Sequence, residues 1–203
     1  MIIGVLASGR GSNLQAIMDA SGQGRLSATV GVVISNNSRS GALKRARDAG
    51  VRALHLSGHT HPDPVQLDEA ICATLREHGC QWVALAGYMK RLGPLTLREY
   101  EGRIVNVHPA LLPRHGGQGM YGERVHESVL ASGDQVSGVT VHLVGSEYDR
   151  GQILAQRQVP VYPDDTVEGL AERVLAVEHE LYVETLDALV KGRIQVDSFG
   201  EQE

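Results

Sequence analysis

The chain has 203 residues, two cysteines and a formal net charge of −5. That length can bury a full core without a disulfide or metal staple, and the acidic balance argues against broad nucleic-acid binding, which needs a basic surface. Cys72 and Cys80 lack metal-ligand spacing, residues 1–7 are too short for a signal peptide, and no apolar run reaches membrane-spanning length, so a cytoplasmic protein with no membrane partner is expected.

In chain order, IIGVLAS (2–8) is a continuous apolar run of the kind found in a buried central strand. A helix follows from Ser12, with Leu14, Ile17 and Met18 on one face. TVGVVIS (29–35) reads as a second strand, and 41–49 as its helix, stopped by Gly50. VRALHL (51–56) is a weaker third strand, 63–78 a helix, and QWVALAG (81–87) and GRIVNVHP (102–109) two more strands. After a Gly- and Pro-rich stretch, a helix is expected over 122–131. SGVTVHLV (137–144) and QILAQRQVPV (152–161) then make an antiparallel pair. The last helix is expected to begin at Asp165, where Asp165 and Glu168 have capping-box spacing, with Val167, Leu170, Val174, Val177, Leu181 and Leu189 as its apolar stripe. The alternation predicts an α/β fold: a Rossmann-like open, mostly parallel twisted sheet, helices on both faces, and an antiparallel strand pair near the C-terminal part.

Strand one runs into Ser8-Gly9-Arg10-Gly11-Ser12-Asn13-Leu14 and then directly into a helix. Glycines allow the sharp turn, and the helix start offers unpaired N–H groups and partial positive charge, a ready phosphate site. Leu14 stands where the dinucleotide fingerprint has its third glycine, and strand two closes in Ser35-Asn36-Asn37 with no acidic residue for a ribose. The plainer alternative is a tight turn with Ser12 as the helix cap.

Asn106 and His108, two apart in an extended segment, project from one face at the carboxyl end of a strand, where ligands of open α/β sheets bind. An amide donor beside an imidazole can hold a carbonyl and stabilise the oxyanion formed when it is attacked; a structural, loop-capping His108 is the alternative. Asp149 lies in Ser146-Glu147-Tyr148-Asp149-Arg150-Gly151, which is also ordinary turn chemistry. Glu178 falls on the apolar stripe of the last helix, where a carboxylate must be paired or bind a ligand. The spacings of His59, His61, His108, His115 and His142 match no zinc pattern, so no metal is expected.

LASGRGSNLQAI (6–17), LAGYMKRLGP (85–94), IVNVHPALLP (104–113), SGVTVHLVGSEYDRGQILAQ (137–156) and RVLAVEHELY (173–182) together resemble the 10-formyltetrahydrofolate-dependent formyltransferases. NxHPxLLP with HxxxxxxDxG, here His142 to Gly151, is shared across that superfamily, and the GSNL loop is similar to its phosphoribosylglycinamide formyltransferase branch. The resemblance implies that Asn106, His108 and Asp149 are the catalytic trio, supported by His142. It implies that Gly11, Ser12, Asn13 and Glu178 bind the ribonucleotide. It lays the folate along Met89, Lys90, Arg91 and Leu92, beside Asn106, and against Gly145, Ser146, Glu147, Tyr148 and Asp149.

The implied reaction is formyl transfer from 10-formyltetrahydrofolate, as co-substrate, to the amine of phosphoribosylglycinamide by direct attack. No metal, nucleic acid or membrane takes part, and the enzyme would be a monomer or homodimer. Asp149 is expected to raise the pKa of His108. Residues 1–190 would form one catalytic domain and 191–203 a peripheral tail, with no room for the RNA-binding extension of the related tRNA-directed enzymes. A formyltetrahydrofolate hydrolase, or a formyltransferase for another amine, would share the trio; a phosphate-ligand sensor would use only the 9–13 loop. Three segments depart from the common pattern: 58–68 lacks the usual basic residue, Lys90 replaces an arginine, and 114–127 replaces an aromatic-proline loop.

Overall fold

The computed structural model describes residues 1–196. Seven strands form one sheet in the order β3-β2-β1-β4-β5-β6-β7. The strands are β1 (Ile2–Leu6), β2 (Thr29–Ser35), β3 (Arg52–His55), β4 (Trp82–Leu85), β5 (Ile104–His108), β6 (Val136–Leu143) and β7 (Ile153–Pro160). β1 to β5 pair in parallel, whereas β6 and β7 run antiparallel. The α/β fold with an antiparallel pair near the C-terminal part is thus the one expected.

The helices are α1 (Ser12–Gly22), α2 (Gly41–Asp48), α3 (Pro64–Glu77), α4 (Pro94–Glu99), α5 (Glu123–Ala131) and α6 (Val167–Val190). Each face of the sheet has its own core. On one, Leu14 and Ile17 of α1, Leu43 of α2, Val129 of α5 and Leu170, Val174, Leu181 and Leu186 of α6 pack on Val5, Val33, Val105 and Val141. On the other, Ile71 and Leu75 of α3, with Tyr100 after α4, cover Leu6, Val32, Ile34, Val83 and Ile104. Covered on both sides, the central strands carry no polar alternation, which is why β1 and β4 read as continuous apolar runs.

One local expectation needs correction, and one element is added. α6 begins at Val167, capped by Thr166, whose hydroxyl accepts from Gly169 N–H at 3.1 Å. Asp165 is instead gripped by both arms of Arg173 at 2.7 and 2.8 Å and accepts from Tyr162 N–H. A charged two-pronged contact outcompetes a single capping bond. The short helix α4 was not anticipated. The Asp68 carboxylate takes the N–H groups of Leu95 and Thr96 at its first turn, and nothing in the local periodicity of residues 94–99 signals that partner.

Of the tail expected from 191 onward, Ile194 and Val196 pack against the core of the α6 face; residues 197–203 of that tail lie outside the described residues. Among the described residues no helix is long and apolar enough to cross a membrane.

Candidate active site

At the carboxyl ends of β4 and β5 lies a cavity of about 420 Å³. It sits where the parallel part of the sheet meets the antiparallel part, so the strand ends and the β6–β7 connection converge on it. The floor is held from beneath by Tyr182 of α6, whose buried hydroxyl donates to the carbonyls of Leu85 (3.1 Å) and Val105 (2.9 Å).

Asn106 and His108 stand on β5 opposite His142 and Thr140 of β6. Asn106 Nδ2 lies 3.1 Å from His142 Nε2, and His142 Nδ1 lies 2.8 Å from the Leu143 carbonyl. With Nδ1–H donated to that carbonyl, neutral His142 accepts from the amide at Nε2, and protonated His142 points Nε2–H at Asp149. His108 Nε2 is 2.8 Å from the His115 carbonyl, and its Nδ1 is 3.8 Å from Asp149 Oδ2.

Asp149 has φ +53, a left-handed conformation that aspartate tolerates better than most residues, and it aims its carboxylate inward. Asp149 Oδ1 lies 3.5 Å from His142 Nε2, and Oδ2 accepts the Gly117 N–H at 2.8 Å. Gly151 has to be glycine, because a Cβ there would sit 1.8 Å from the Leu143 carbonyl oxygen; this is the physical content of the Asp-x-Gly spacing.

Burial acts to raise the Asp149 carboxyl pKa, but the contacts from His142, the Gly117 N–H and His108 outweigh it and hold the group below its ordinary value. For His108 the balance runs the other way. Desolvation lowers its pKa, and the upward pull of Asp149 and of the His115 carbonyl does not restore it. Asp149 therefore acts in the expected sense, but the net shift of His108 is downward.

The phosphate loop differs from a simple capped turn. Gly11, not Ser12, occupies the N-cap with φ +78, and no side chain caps α1. A Cβ on Gly11 would approach Ala42 Cα to 2.7 Å, so glycine serves both a left-handed turn and close packing on α2. Asn13 reaches inward, and its Nδ2 donates to Glu178 Oε2 at 2.7 Å while its buried Oδ1 has no partner among the described residues. Burial pushes the Glu178 carboxyl up to about 7, against the lowering effect of the Asn13 bond. Gly11 and Ser12 lie off the cavity wall, whereas Asn13 and Glu178 line it.

All four of Met89, Lys90, Arg91 and Leu92 line the cavity, as do Gly145, Ser146, Glu147 and Tyr148 across from them. Arg91 closes the gap, donating to the Ser146 carbonyl at 2.5 Å with its guanidinium 5.7 Å from the Tyr148 ring centroid. The structure also brings in residues that sequence reasoning did not single out. Ser8 accepts the Met89 N–H at 2.8 Å and donates to Asn36 at 2.5 Å, fixing the start of the 89–92 segment. Thr140 bonds Leu112 N–H and the Ala110 carbonyl, and Gln156 donates to Thr140 and Leu112, which anchors the chain just after Pro109. Gln118 to Tyr121 add a wall. Among the described residues no group of three His, Cys, Asp or Glu side chains could hold a metal ion.

The family model for formyl transferases matches residues 1–186. The chain belongs to the formyl transferase family. It is similar to the chloroplastic phosphoribosylglycinamide formyltransferase of Vigna unguiculata, 44% identical over 95% of this chain, and spans 62% of the length of that relative. The Escherichia coli phosphoribosylglycinamide formyltransferase is 35% identical over 97% of this chain and 90% of its own. The crystal structure of glycinamide ribonucleotide transformylase 1 from Symbiobacterium toebii superposes with a TM-score of 0.92 at 41% identity, covering 98% of this chain and 91% of that one.

Proposed function

We propose that this formyl transferase family member moves the formyl group of 10-formyltetrahydrofolate onto the primary amine of 5-phosphoribosylglycinamide, a step of purine biosynthesis. The observation that carries the reading is the convergence on one cavity of Asn106, His108, His142 and Asp149 with Glu178 and Asn13. An amide, an imidazole and a carboxylate converging on one cavity suit acyl transfer. The apolar lining from Leu85, Met89, Leu92 and Val144 suits a flat heteroaromatic donor. The relatives' names and their coverage of this chain support the same acceptor.

In this mechanism the ribonucleotide phosphate sits at the uncapped start of α1, at Gly11, Ser12 and Asn13, and its amine lies by Glu178. The amine attacks the formyl carbon, and the carbonyl oxygen becomes an oxyanion held by Asn106 Nδ2–H and by the imidazole of His108. The attacking nitrogen gives up a proton, for which Glu178, tuned to about 7, is a competent acceptor near neutrality. The bond from carbon to N10 then breaks, N10 takes up a proton from protonated His108, the proton lost by the amine is returned to the imidazole through water, and formylglycinamide ribonucleotide and tetrahydrofolate leave. Asp149, held ionised, supports the positive form of His108 as charge develops. Among the described residues no activated serine or cysteine lines the cavity, which supports direct transfer.

Residues 1–190 would act as one catalytic domain. On this reading the enzyme would work as a monomer or a homodimer. Two buried free cysteines favour a reducing, cytoplasmic setting, and the net charge of −5 favours small-molecule over nucleic-acid substrates.

The test is an absorbance assay of donor turnover with and without the ribonucleotide. Turnover that requires the acceptor, and falls about 10²- to 10³-fold in Asn106→Ala and His108→Ala, is expected. Donor consumption without an acceptor would make the chain a hydrolase, and no consumption would overturn the reading.

A further inference from the structure

The segment after Pro113 fixes two of the side chains on the cavity floor through its backbone. The His115 carbonyl takes the Nε2–H of His108, and the Gly117 N–H is donated to Asp149, both at 2.8 Å. A surface loop orients nothing unless it is itself held. Here the holding group is the His115 side chain. Its Nε2 lies 2.8 Å from Asp134 Oδ2, and its Nδ1 lies 2.9 Å from Ser128 Oγ on α5. Arg114 grips the other oxygen of Asp134 at 2.7 Å. His115 has φ +54, which costs a non-glycine residue about 1 kcal/mol or more and persists only where surrounding contacts enforce it. The residue thus presents its carbonyl to His108 and its ring to α5 and Asp134 at once.

We propose that Ser128, His115 and Asp134 form a positioning chain that holds the His115 carbonyl against His108 and the Gly117 N–H against Asp149, so that both groups are oriented before substrate enters. The inference rests on the formyl-transfer reading of this site. The Ser–His–Asp set is not a second nucleophile: neither Ser128, His115 nor Asp134 lines the cavity, and the His115 side chain is only 9% exposed. With Nε2–H donated to Asp134, Nδ1 accepts from the Ser128 hydroxyl, and both ring nitrogens are spent on holding the loop. His115 is a positioning residue, acting through His108 and Asp149. His115 lies in the 114–127 segment, between Pro113 and the start of α5.

Three variants separate pinning from backbone conformation. His115→Gly removes the cost of the left-handed backbone and both pins together. Asp134→Ala removes one pin and leaves residue 115 unchanged, and Asp134→Asn keeps an acceptor for Nε2–H. In steady-state kinetics with 10-formyl-folate donor and glycinamide ribonucleotide, His115→Gly and Asp134→Ala are expected to lose about 10- to 100-fold in kcat, with KM for either substrate within about threefold. Asp134→Asn is expected to keep kcat within about threefold of wild type. Wild-type kcat in His115→Gly would overturn the proposal, since the side chain would then be dispensable. So would a loss in Asp134→Ala that Asp134→Asn does not rescue.

Imidazole NMR gives an independent readout. His108 faces Asp149 from the β6–β7 connection, His142 from β6, His126 from α5 and His115 from the loop, and the His115 carbonyl favours its protonated form. Its titration should move to lower pH in Asp134→Ala and stay in place in Asp134→Asn. If wild type fails to use the ribonucleotide, the formyl-transfer reading falls, and the NMR alone decides: a His108 titration unmoved in Asp134→Ala refutes the positioning chain.

Discussion

Glu178 gives the sharpest quantitative test, because its carboxyl is buried on α6 and pushed from an ordinary 4.5 up to about 7. Each pKa unit is worth about 1.4 kcal/mol, so ionising Glu178 in the folded chain costs about 3 kcal/mol more than in the unfolded chain. Between pH 4.5 and about 7 the unfolded chain has released a proton that the folded chain still holds. Stability therefore falls as pH rises through that window, and the loss is complete above the folded pKa. Glu178→Gln keeps the shape and an oxygen for the Asn13 Nδ2–H but cannot ionise. Relative to wild type the variant should be near neutral at pH 4 and more stable by about 3 kcal/mol at pH 8. Urea unfolding at a series of pH values measures this directly. Parallel stability curves for the two proteins from pH 4 to 8 would refute the reasoning, because they would mean that Glu178 ionises in the folded chain as it does in water. On the proposed reading the same variant should also bind the ribonucleotide poorly.

Gly11→Ala places a Cβ 2.7 Å from Ala42 Cα at a backbone φ of +78; a loss of about 2 kcal/mol or more is expected by urea titration, with a raised KM for the phosphorylated acceptor. Tyr182→Phe leaves the Leu85 and Val105 carbonyls without their buried donor and should cost about 1–3 kcal/mol by thermal or chemical melts. Asp149→Asn removes the carboxylate that favours protonated His108, so the His108 titration followed by imidazole NMR should fall further; an unchanged titration would mean that the 3.8 Å pair is electrostatically idle.

Much of this candidate site is legible in the sequence. Asn106 and His108 could be placed together because strand periodicity puts residues two apart on one face, and because strand carboxyl ends of an open α/β sheet face the ligand crevice. Glu178 could be singled out because a carboxylate on an apolar stripe contradicts its surroundings. Both are local signals. The supports of the site are not: Ser8 and Met89 are 81 positions apart, Thr140 and Leu112 are 28 apart, and His115 and Asp134 are 19 apart. Such pairings depend on how strands and loops are stacked, which no periodicity encodes. The start of α6 failed for a related reason: Asp165 has good capping chemistry, but Arg173, eight residues on, competes for the same oxygens.

The two carboxylates of the cavity are set apart by surroundings rather than by residue type. Asp149 collects contacts from His142, the Gly117 N–H and His108, so its anionic form persists at and below neutrality. Among the described residues Glu178 has the Asn13 amide as its donor, and burial outweighs that bond, so its neutral form survives to about pH 7. Titratable groups pushed in opposite directions across one space divide acid–base work between them. On the proposed reading, Asp149 supplies fixed negative charge beside the imidazole, and Glu178 takes the proton that the amine must lose. Exchanging these environments should abolish turnover more completely than removing either group. A carboxylate of low pKa beside the amine would be too weak a base to take its proton, and a neutral one beside His108 would withdraw the charge that favours its protonated form.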